Sequence, residues 1–201
     1  FWFLVSGFAV MAPGEYELFN LIVGEVDQIM TTMRRNRMWK TTPVAFPPAH
    51  KTPPNSPAFL LVSFRQLRHS LQLQNVESFD RVRLVKPFVD VIRSKDTGGQ
   101  ITSLALASLT RFLQAGALAL SVQTSVAAAE EVAAASTNCV YEACDAGSDE
   151  LVLLNLLNLT VAVLSTAAGA HLPGEAVWQM VKTVFCILAQ MRPPDYSECL
   201  S

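Results

Sequence analysis

The segment from Lys86 to Gln114 constrains the fold of this chain more than any other. It reads KPFVDVIRSKDTGGQITSLALASLTRFLQ and has apolar residues at helical spacing on both sides of the Gly98-Gly99 pair. Two adjacent glycines disfavour a continuous helix, so the pattern predicts an amphipathic helix, a break and a second, more apolar helix. Chains that repeat this arrangement usually form stacked helical folds that bind proteins.

The same periodicity recurs along the chain and predicts an all-α protein of about seven helices, with no strand of useful length. The predicted helices run from Glu15 to Trp39, Ala58 to Gln74, Arg83 or Pro87 to Arg93, Gln100 to Ala115, Val122 to Tyr141, Leu151 to Ala170 after a Ser148-Asp149-Glu150 cap, and Gly174 to the Pro193-Pro194 pair. Pro87 is expected in a first turn, where proline is tolerated. Short turns between such helices suit a right-handed stack of antiparallel pairs.

Apolar residues at helical spacing identify the expected buried faces. They are Leu18, Ile22, Val26, Ile29, Met30 and Met33 on the first helix; Leu60, Leu61, Phe64, Leu67 and Leu71 on the second; and Val177, Met180, Val181, Val184, Phe185 and Leu188 on the last. The fifth helix is rich in alanine and poor in large apolar residues, so we expect it at the periphery of the stack.

The stretch from Leu151 to Ala170 contains no charged residue over twenty positions, which is long enough to cross a bilayer. An integral membrane protein is therefore one hypothesis. Asn155, Asn158 and Thr160 oppose it, because polar groups are unfavourable in hydrocarbon. A helix that is apolar on all sides also suits the centre of a helical stack, which we favour.

Composition and charge exclude several classes of function. Hydrophobic residues make up 51% and charged residues 16% of the 201 residues, and the net charge of −2 offers no basic surface for nucleic acid. Arg34, Arg35, Arg37 and Lys40 form one local basic cluster, which suits the C-terminal end of a helix dipole or, alternatively, contact with acidic lipid headgroups.

Cysteine and histidine spacing indicates no metal site, cofactor or catalytic centre. Cys139, Cys144, Cys186 and Cys199 form no CxxC pair, and the three histidines stand far apart in sequence. We expect these cysteines to be small core residues of a reduced protein. No phosphate-binding loop, dinucleotide motif or HExxH occurs, so the residues favour a non-enzymatic, protein-binding chain.

Four motifs follow one another between Leu21 and Arg192. In chain order they are IVGEV to MRRNRMW between Ile22 and Trp39, the segment Lys86–Leu106, AGSDELVL from Ala146 to Leu153, and the stretch that begins with GAHL at Gly169, runs through Phe185 and ends at Met191-Arg192. In this order they resemble the N-terminal region of the large Golgi-type ARF guanine-nucleotide exchange factors, the GBF/Gea/GNOM group.

The resemblance implies a dimerisation and cyclophilin-binding (DCB) domain, an armadillo-like helical module. The chain lacks the motifs of the family's second regulatory region and of its catalytic exchange domain, so we expect a regulatory fragment without exchange activity. Its implied partners are a second copy of itself, other domains of the exchange factor, a Rab GTPase or a cyclophilin. Its implied location is the cytoplasm, at the periphery of Golgi membranes, in vesicle trafficking.

The resemblance also implies Arg111 and Glu150 as self-association residues. Arg111 is the only charge between Asp96 and Glu130, and in so apolar a helix it must reach solvent or pair with a carboxylate. An intrachain salt bridge is the alternative at this point. Further candidates for partner contact are Lys86, Arg93, Lys95 and Asp96, although Asp96-Thr97-Gly98 equally suits a plain turn.

The expected domain organisation has three parts. Residues 1–14, with the apolar run FWFLVSGFAV, have no counterpart in the family; residues 15–192 form the DCB-type domain, including a proline-rich loop at 41–57; and residues 193–201 are a divergent tail. Because Pro193-Pro194 replaces a continuing helix, we expect a stack that is incomplete at its C-terminal end. A generic helical-repeat scaffold unrelated to ARF is the alternative to an exchange-factor fragment.

Overall fold

The structure, a computed structural model, describes residues 13–36, 57–73, 78–119, 122–140 and 146–190. These residues contain seven α-helices and one 3-10 turn. The helices are α1 (Pro13–Arg35), α2 (Pro57–Leu73), α3 (Arg81–Ile92), α4 (Gly99–Gln114), α5 (Val122–Thr137), α6 (Ala146–Leu164) and α7 (Gly174–Gln190), and the 3-10 turn is Gly169–His171. The all-α prediction is confirmed. The expectations for residues 1–12, for the proline-rich segment before Pro57, for Arg37 and Lys40, and for the tail lie outside the described residues.

The helices pack in two layers. In the first layer α1 contacts α4 and α4 contacts α6; in the second, α2 contacts α3, α3 contacts α5 and α5 contacts α7. Successive helices also pair between the layers, α3 with α4 and α5 with α6. This arrangement of stacked helix pairs is the one that short turns between amphipathic helices favour.

A chain of three aromatic rings joins both layers in the core. The rings of Phe64 (α2) and Phe88 (α3) meet edge to face with centroids 5.1 Å apart, and Phe88 meets Phe112 (α4) in the same way at 5.1 Å. All three side chains are fully buried. Edge-to-face contacts add to the free energy gained by burying the ring area, so Phe88 is the central packing residue of the fold.

The apolar stripes predicted for α1 and α2 are confirmed. Ile22, Val26, Ile29, Met30 and Met33 of α1 and Leu60, Phe64, Leu67 and Leu71 of α2 are buried, and Leu18 and Leu61 pack partly against the same core. The basic end of α1 is confirmed for Arg34 and Arg35, which stand in its last turn. There they oppose the partial negative charge of the helix C-terminus.

The expected position of Pro87 is wrong. Helix α3 begins at Arg81, where Asp80 is the N-cap and accepts a 3.0 Å hydrogen bond from the Val82 amide. Pro87 therefore lies inside the helix. Proline there removes the amide that would bond to the Arg83 carbonyl, and Arg83 is on the exposed side of the helix, where water can take that role. The buried Pro87 ring packs in the core instead.

The break between α3 and α4 is confirmed and is held by a buried threonine. The Thr97 hydroxyl lies 3.1 Å from the Val91 carbonyl, 2.9 Å from the Ser94 carbonyl and 3.1 Å from the Thr102 hydroxyl. The Val91 carbonyl already accepts from the Ser94 amide, and the single hydrogen of the Thr97 hydroxyl adds a bond to the carbonyls at this end of α3. The chain can consequently reverse between two layers without leaving buried polar groups unsatisfied.

The peripheral position expected for the alanine-rich helix is wrong. Helix α5 packs against α3, α6 and α7, and Ala128, Ala129, Ala133 and Ala135 are buried with Val132 between them. Small side chains let helix backbones approach closely, so alanine here allows three neighbours to pack around one helix. The lack of large residues reflects a crowded position and not an exposed one.

Helix α6 covers only part of the apolar segment Leu151–Ala170. Helix α6 ends at Leu164, and the chain then turns through Gly169–His171 before α7. In the described part of the chain no helix is long and apolar enough to cross a membrane. Neither is α6 wholly buried, since Leu151, Leu154, Val161 and Leu164 are exposed.

Helix α7 also differs from expectation. Met180 and Ile187 are buried, whereas Phe185 and Leu188, which were assigned to the same buried stripe, are exposed. Cys186 is exposed as well, so its expected place in the core is wrong. Cys139 is largely buried, and burial raises the pKa of its thiol to about 12; Cys144 and Cys199 fall outside the described ranges.

Candidate interaction surface

A three-residue polar cluster joins α1 to α4 across the first layer. The Glu25 carboxylate of α1 is 8% exposed and accepts a 2.7 Å hydrogen bond from the Ser108 hydroxyl and a 2.6 Å hydrogen bond from Nη2 of Arg111. A buried carboxylate needs such partners because removing a charge from water is costly. The intrachain salt bridge left open by the sequence is thus present.

Arg111 keeps part of its side chain accessible in spite of this pair. The side chain is 42% exposed, and among the described residues only its Nη2 makes a hydrogen bond. Its Nε is buried without a hydrogen-bond partner. A guanidinium carries five N–H donors, so Arg111 can still bind a further acceptor on its exposed side.

Helix α6 begins at Ala146, before the Ser148-Asp149-Glu150 cap that the sequence predicted, so Asp149 lies in its first turn and the exposed Glu150 directly after it. Asp149 opposes the partial positive charge of the helix N-terminus, as predicted, whereas the predicted cap position is wrong. The structure does not bring Glu150 to Arg111. Asn155 of α6 bonds to Ser103 of α4, and this parallel register places Glu150 about 20 Å along the helix axis from Arg111 at 1.5 Å per residue.

The four secondary candidates cluster around α3, away from Arg111. Lys86 pairs with Asp90 on the same helix at 3.0 Å, and Arg93 pairs with Glu131 of α5 at 3.4 Å. Lys95 and Asp96 are exposed in the turn that follows. The backbone amide of Asp96 donates to the Ser94 hydroxyl, so this residue takes part in the turn as the plain turn interpretation predicts.

A polar groove runs along the outside of the first layer between α4 and α6. Its volume is about 670 Å³, and among the described residues that line it Arg111 is the one with a charge. Polar lining residues are Thr110, Gln114, Asn155, Asn158, Ser165 and Thr166. Sequence reasoning noted the two asparagines only as arguments against a membrane span; their spacing of three on an apolar helix was the available signal for a polar face.

A smaller apolar cavity lies at the C-terminal end of this groove. It has a volume of about 200 Å³ and is lined by the α4–α5 connection, by α5 and by the turn before α7. Gly116 lies at its rim and has a φ of 70°, a left-handed conformation that suits glycine. The cavity shares the lining residues Leu113 and Thr166 with the groove, so the two lie next to each other.

Large apolar side chains form exposed stripes on α6 and α7. On α6 they are Leu151, Leu154, Val161 and Leu164; on α7 they are Trp178, Phe185 and Leu188, of which Trp178 is 60% and Phe185 67% exposed. Exposed apolar residues that recur at helical spacing on neighbouring helices are typical of a surface that contacts another protein.

Comparisons with known proteins identify ARF exchange factors as relatives of the chain. No protein-family model matches the chain. Over 106 residues, or 53% of the chain, it is 33% identical to the ARF guanine-nucleotide exchange factor GNOM of Arabidopsis thaliana. It is 29% identical over 66% of its length to ARF guanine-nucleotide exchange factor 2 of Saccharomyces cerevisiae. These relatives are ARF exchange factors.

A third relative extends the similarity along the chain. The Golgi-specific brefeldin A-resistance guanine nucleotide exchange factor 1 homolog of Caenorhabditis elegans is 28% identical over 84% of the chain. The chain spans only 7%, 9% and 8% of the lengths of these three proteins. Its similarity is therefore to one small part of each exchange factor.

The described residues hold no group of histidine, cysteine and acidic side chains that could bind a metal ion. In the cluster of Glu25, Ser108 and Arg111, the serine and the arginine both bond to the carboxylate. This arrangement joins α1 to α4 and leaves one guanidinium edge accessible.

Proposed function

We propose that this chain is a DCB-type regulatory fragment of an ARF exchange factor and acts by binding proteins, including a second copy of itself. Its relatives are ARF exchange factors, of which it matches a small part. In this proposal the fragment carries no exchange activity of its own. It helps to place the exchange factor at the cytoplasmic face of Golgi membranes, through contacts with other domains, a Rab GTPase or a cyclophilin.

The observation that carries the proposal is the exposed apolar surface of α6 and α7. Trp178, Phe185 and Leu188 stand on one side of α7, and Val161 of α6 is 65% exposed. Aromatic side chains in particular contribute much of the binding free energy at protein interfaces when they become buried. A surface of this kind supports a binding function over an enzymatic one.

The separation of Arg111 and Glu150 is compatible with a twofold dimer. Both residues lie on the parallel helices α4 and α6, about 20 Å apart along the axis. In a dimer with twofold symmetry, a contact between residue i and residue j occurs twice, once in each direction. Two antiparallel copies of this face would thus place each Arg111 near Glu150 of the partner subunit.

Size-exclusion chromatography with light scattering on the full chain tests self-association. We expect a dimer, and we expect Glu150→Lys to raise its dissociation constant by at least about tenfold, because the reversed charge would face Arg111 of the partner subunit. Glu150 is exposed, so this change leaves the core intact. A matched control is Glu130→Lys on the exposed side of α5, which should leave the dimer unchanged.

Two outcomes would contradict parts of the proposal. A wild-type chain that is monomeric at all concentrations would contradict self-association. A dimer that Glu150→Lys leaves intact would show that Arg111 and Glu150 do not hold the two copies together. A separate fluorescence assay of nucleotide release from ARF should show no acceleration by the chain. Acceleration would show that the fragment is catalytic after all.

A further inference from the structure

The groove between α4 and α6 and the apolar cavity at its end are adjacent, so one ligand can contact both. They share Leu113 and Thr166, but their linings differ in chemistry. The groove offers a guanidinium and amide groups, whereas the cavity is lined mainly by residues such as Leu118, Ala129 and Ala168. A ligand that fills both must carry a polar, anionic part next to an apolar part.

Unused hydrogen-bonding groups in the groove indicate the polar part of this ligand. Within the described residues the side-chain amides of Gln114 and Asn158 make no hydrogen bond, and the Arg111 guanidinium uses only Nη2. Amide side chains can donate to and accept from a peptide backbone at the same time, and a guanidinium binds a carboxylate. These groups fit an extended peptide with an acidic side chain at the level of Arg111.

The size of the apolar cavity indicates the apolar part of this ligand. At about 200 Å³ it falls below the roughly 300–1,000 Å³ of pockets that enclose drug-sized molecules. It is large enough for one large apolar side chain, and a phenylalanine ring would fill it. Anchoring of a peptide by one aromatic side chain in such a pocket is a frequent mode of recognition.

The distance between the two features gives the spacing in the peptide. From Arg111 to Gly116, at the cavity rim, α4 and the turn after it advance by about 7.5 Å at 1.5 Å per residue. Two residues of an extended chain cover about 6.6 Å, and side chains at positions i and i+2 point to the same side. The acidic and aromatic residues should therefore be separated by one residue.

We propose that the α4–α6 groove binds an extended peptide segment of a partner protein in which an aspartate or glutamate stands two positions from a phenylalanine. The carboxylate binds the exposed edge of Arg111, the peptide backbone bonds to Asn158 and Gln114, and the phenylalanine ring enters the cavity beside Ala168. Glu150 and the stripe on α7 take no part in this site, but Arg111 belongs to both proposals, so a bound peptide and Glu150 of the partner subunit would compete for its exposed edge.

Fluorescence anisotropy with a labelled peptide tests the site on the full chain. The probe is a fluorescein-labelled Gly-Ser-Asp-Ala-Phe-Ser-Gly peptide, and the comparison peptides replace its aspartate by asparagine, replace its phenylalanine by alanine, or place the two residues side by side. We expect each change to weaken binding at least about fivefold. Failure of the probe to bind, or equal binding of all four peptides, would overturn the proposal.

Protein variants locate the bound peptide. Ala167 is exposed at the cavity lining, so Ala167→Leu should obstruct the cavity without disturbing the core and weaken binding at least about tenfold. Ala134→Leu, an equal change on the exposed side of α5, should have no effect. Peptide binding that Ala167→Leu does not alter would place the peptide elsewhere and overturn the assignment.

The oligomeric state separates this proposal from self-association. If Ala167→Leu abolishes peptide binding while the dimer measured by light scattering is unchanged, the groove acts as a separate site. If Ala167→Leu and Glu150→Lys each abolish both properties, the groove is part of the dimer interface and the proposal of a separate peptide site is wrong.

Discussion

Arg111 of α4 and Glu25 of α1 form an ion pair 2.6 Å long between residues 86 positions apart in sequence. The carboxylate is nearly buried, while the guanidinium is 42% exposed. The two partners therefore differ in what their removal leaves behind. Loss of Arg111 leaves a buried carboxylate with only Ser108, whereas loss of Glu25 leaves a cation that can still reach water.

We expect Arg111→Ala to lower the free energy of unfolding more than Glu25→Gln does. Leaving a buried charge unpaired costs about 1–3 kcal/mol or more, and glutamine keeps an acceptor for Ser108 and Arg111. Urea denaturation of both single variants and of the double variant measures this difference and the coupling. Equal losses in the free energy of unfolding of the two single variants, or losses that simply add in the double variant, would show that the ion pair contributes little to stability.

Gly169 should tolerate no side chain. A Cβ built there would lie 2.2 Å from the Val163 carbonyl oxygen, so Gly169→Ala must displace the end of α6. We expect a loss of about 1–3 kcal/mol in the free energy of unfolding, the usual cost of overpacking. Gly24→Ala is the matched control, because nothing lies within 4 Å of its Cβ and alanine favours a helix interior by about 0.5–1 kcal/mol. The midpoint of thermal denaturation should therefore fall for Gly169→Ala and rise for Gly24→Ala.

The aromatic chain through Phe88 predicts a large effect of truncation. Phe88→Ala should destabilise the protein by about 3–5 kcal/mol, since it leaves a cavity and removes two edge-to-face contacts. Phe185→Ala provides the comparison, because that ring is 67% exposed and its removal should change stability by less than about 0.5 kcal/mol. Chemical denaturation of both variants measures the free energy of unfolding that each loses. Similar losses would contradict the burial of Phe88 and the exposure of Phe185.

Thiol reactivity should distinguish two cysteines. Burial raises the pKa of Cys139 to about 12, and a thiol whose pKa is raised stays protonated at pH 8, with a thiolate fraction on the order of 10⁻⁴. Cys186 is exposed. Alkylation of the native protein with iodoacetamide, followed by peptide mass spectrometry, should modify Cys186 and leave Cys139 intact. Equal modification of both would contradict the burial of Cys139.

The sequence was sufficient to predict the helices but not all of their neighbours. Apolar spacing identified the buried faces of α1 and α2, because each of these helices has one apolar side and one polar side. It failed for α5, where alanine is compatible with an exposed position and with a crowded one, and only the neighbouring helices decide between them. It also failed for Phe185, because spacing identifies the apolar side of α7 but not how much of that side its neighbours α5 and α6 cover.

Prediction of the candidate site was limited in the same way, because local spacing does not show which helices will be neighbours. The apolar surroundings of Arg111 indicated that it would need a partner, yet Glu25 is 86 positions away and no local pattern connects the two. The groove and the cavity depend on the parallel register of α4 and α6, which arises from tertiary packing. The asparagines of α6 showed a polar face without showing which helix it would adjoin.

The separation in sequence between α1 and α4 has a consequence for the order of folding. Pairs such as α3 with α4, which are joined by a short turn, can form early because little chain must be ordered first. Contact between α1 and α4 closes a much longer loop. During synthesis α1 emerges before α4, so the side of α1 that carries Glu25 and contacts α4 stays uncovered until α4 has been made. The newly made α1 is thus a site where a chaperone can bind before the stack closes.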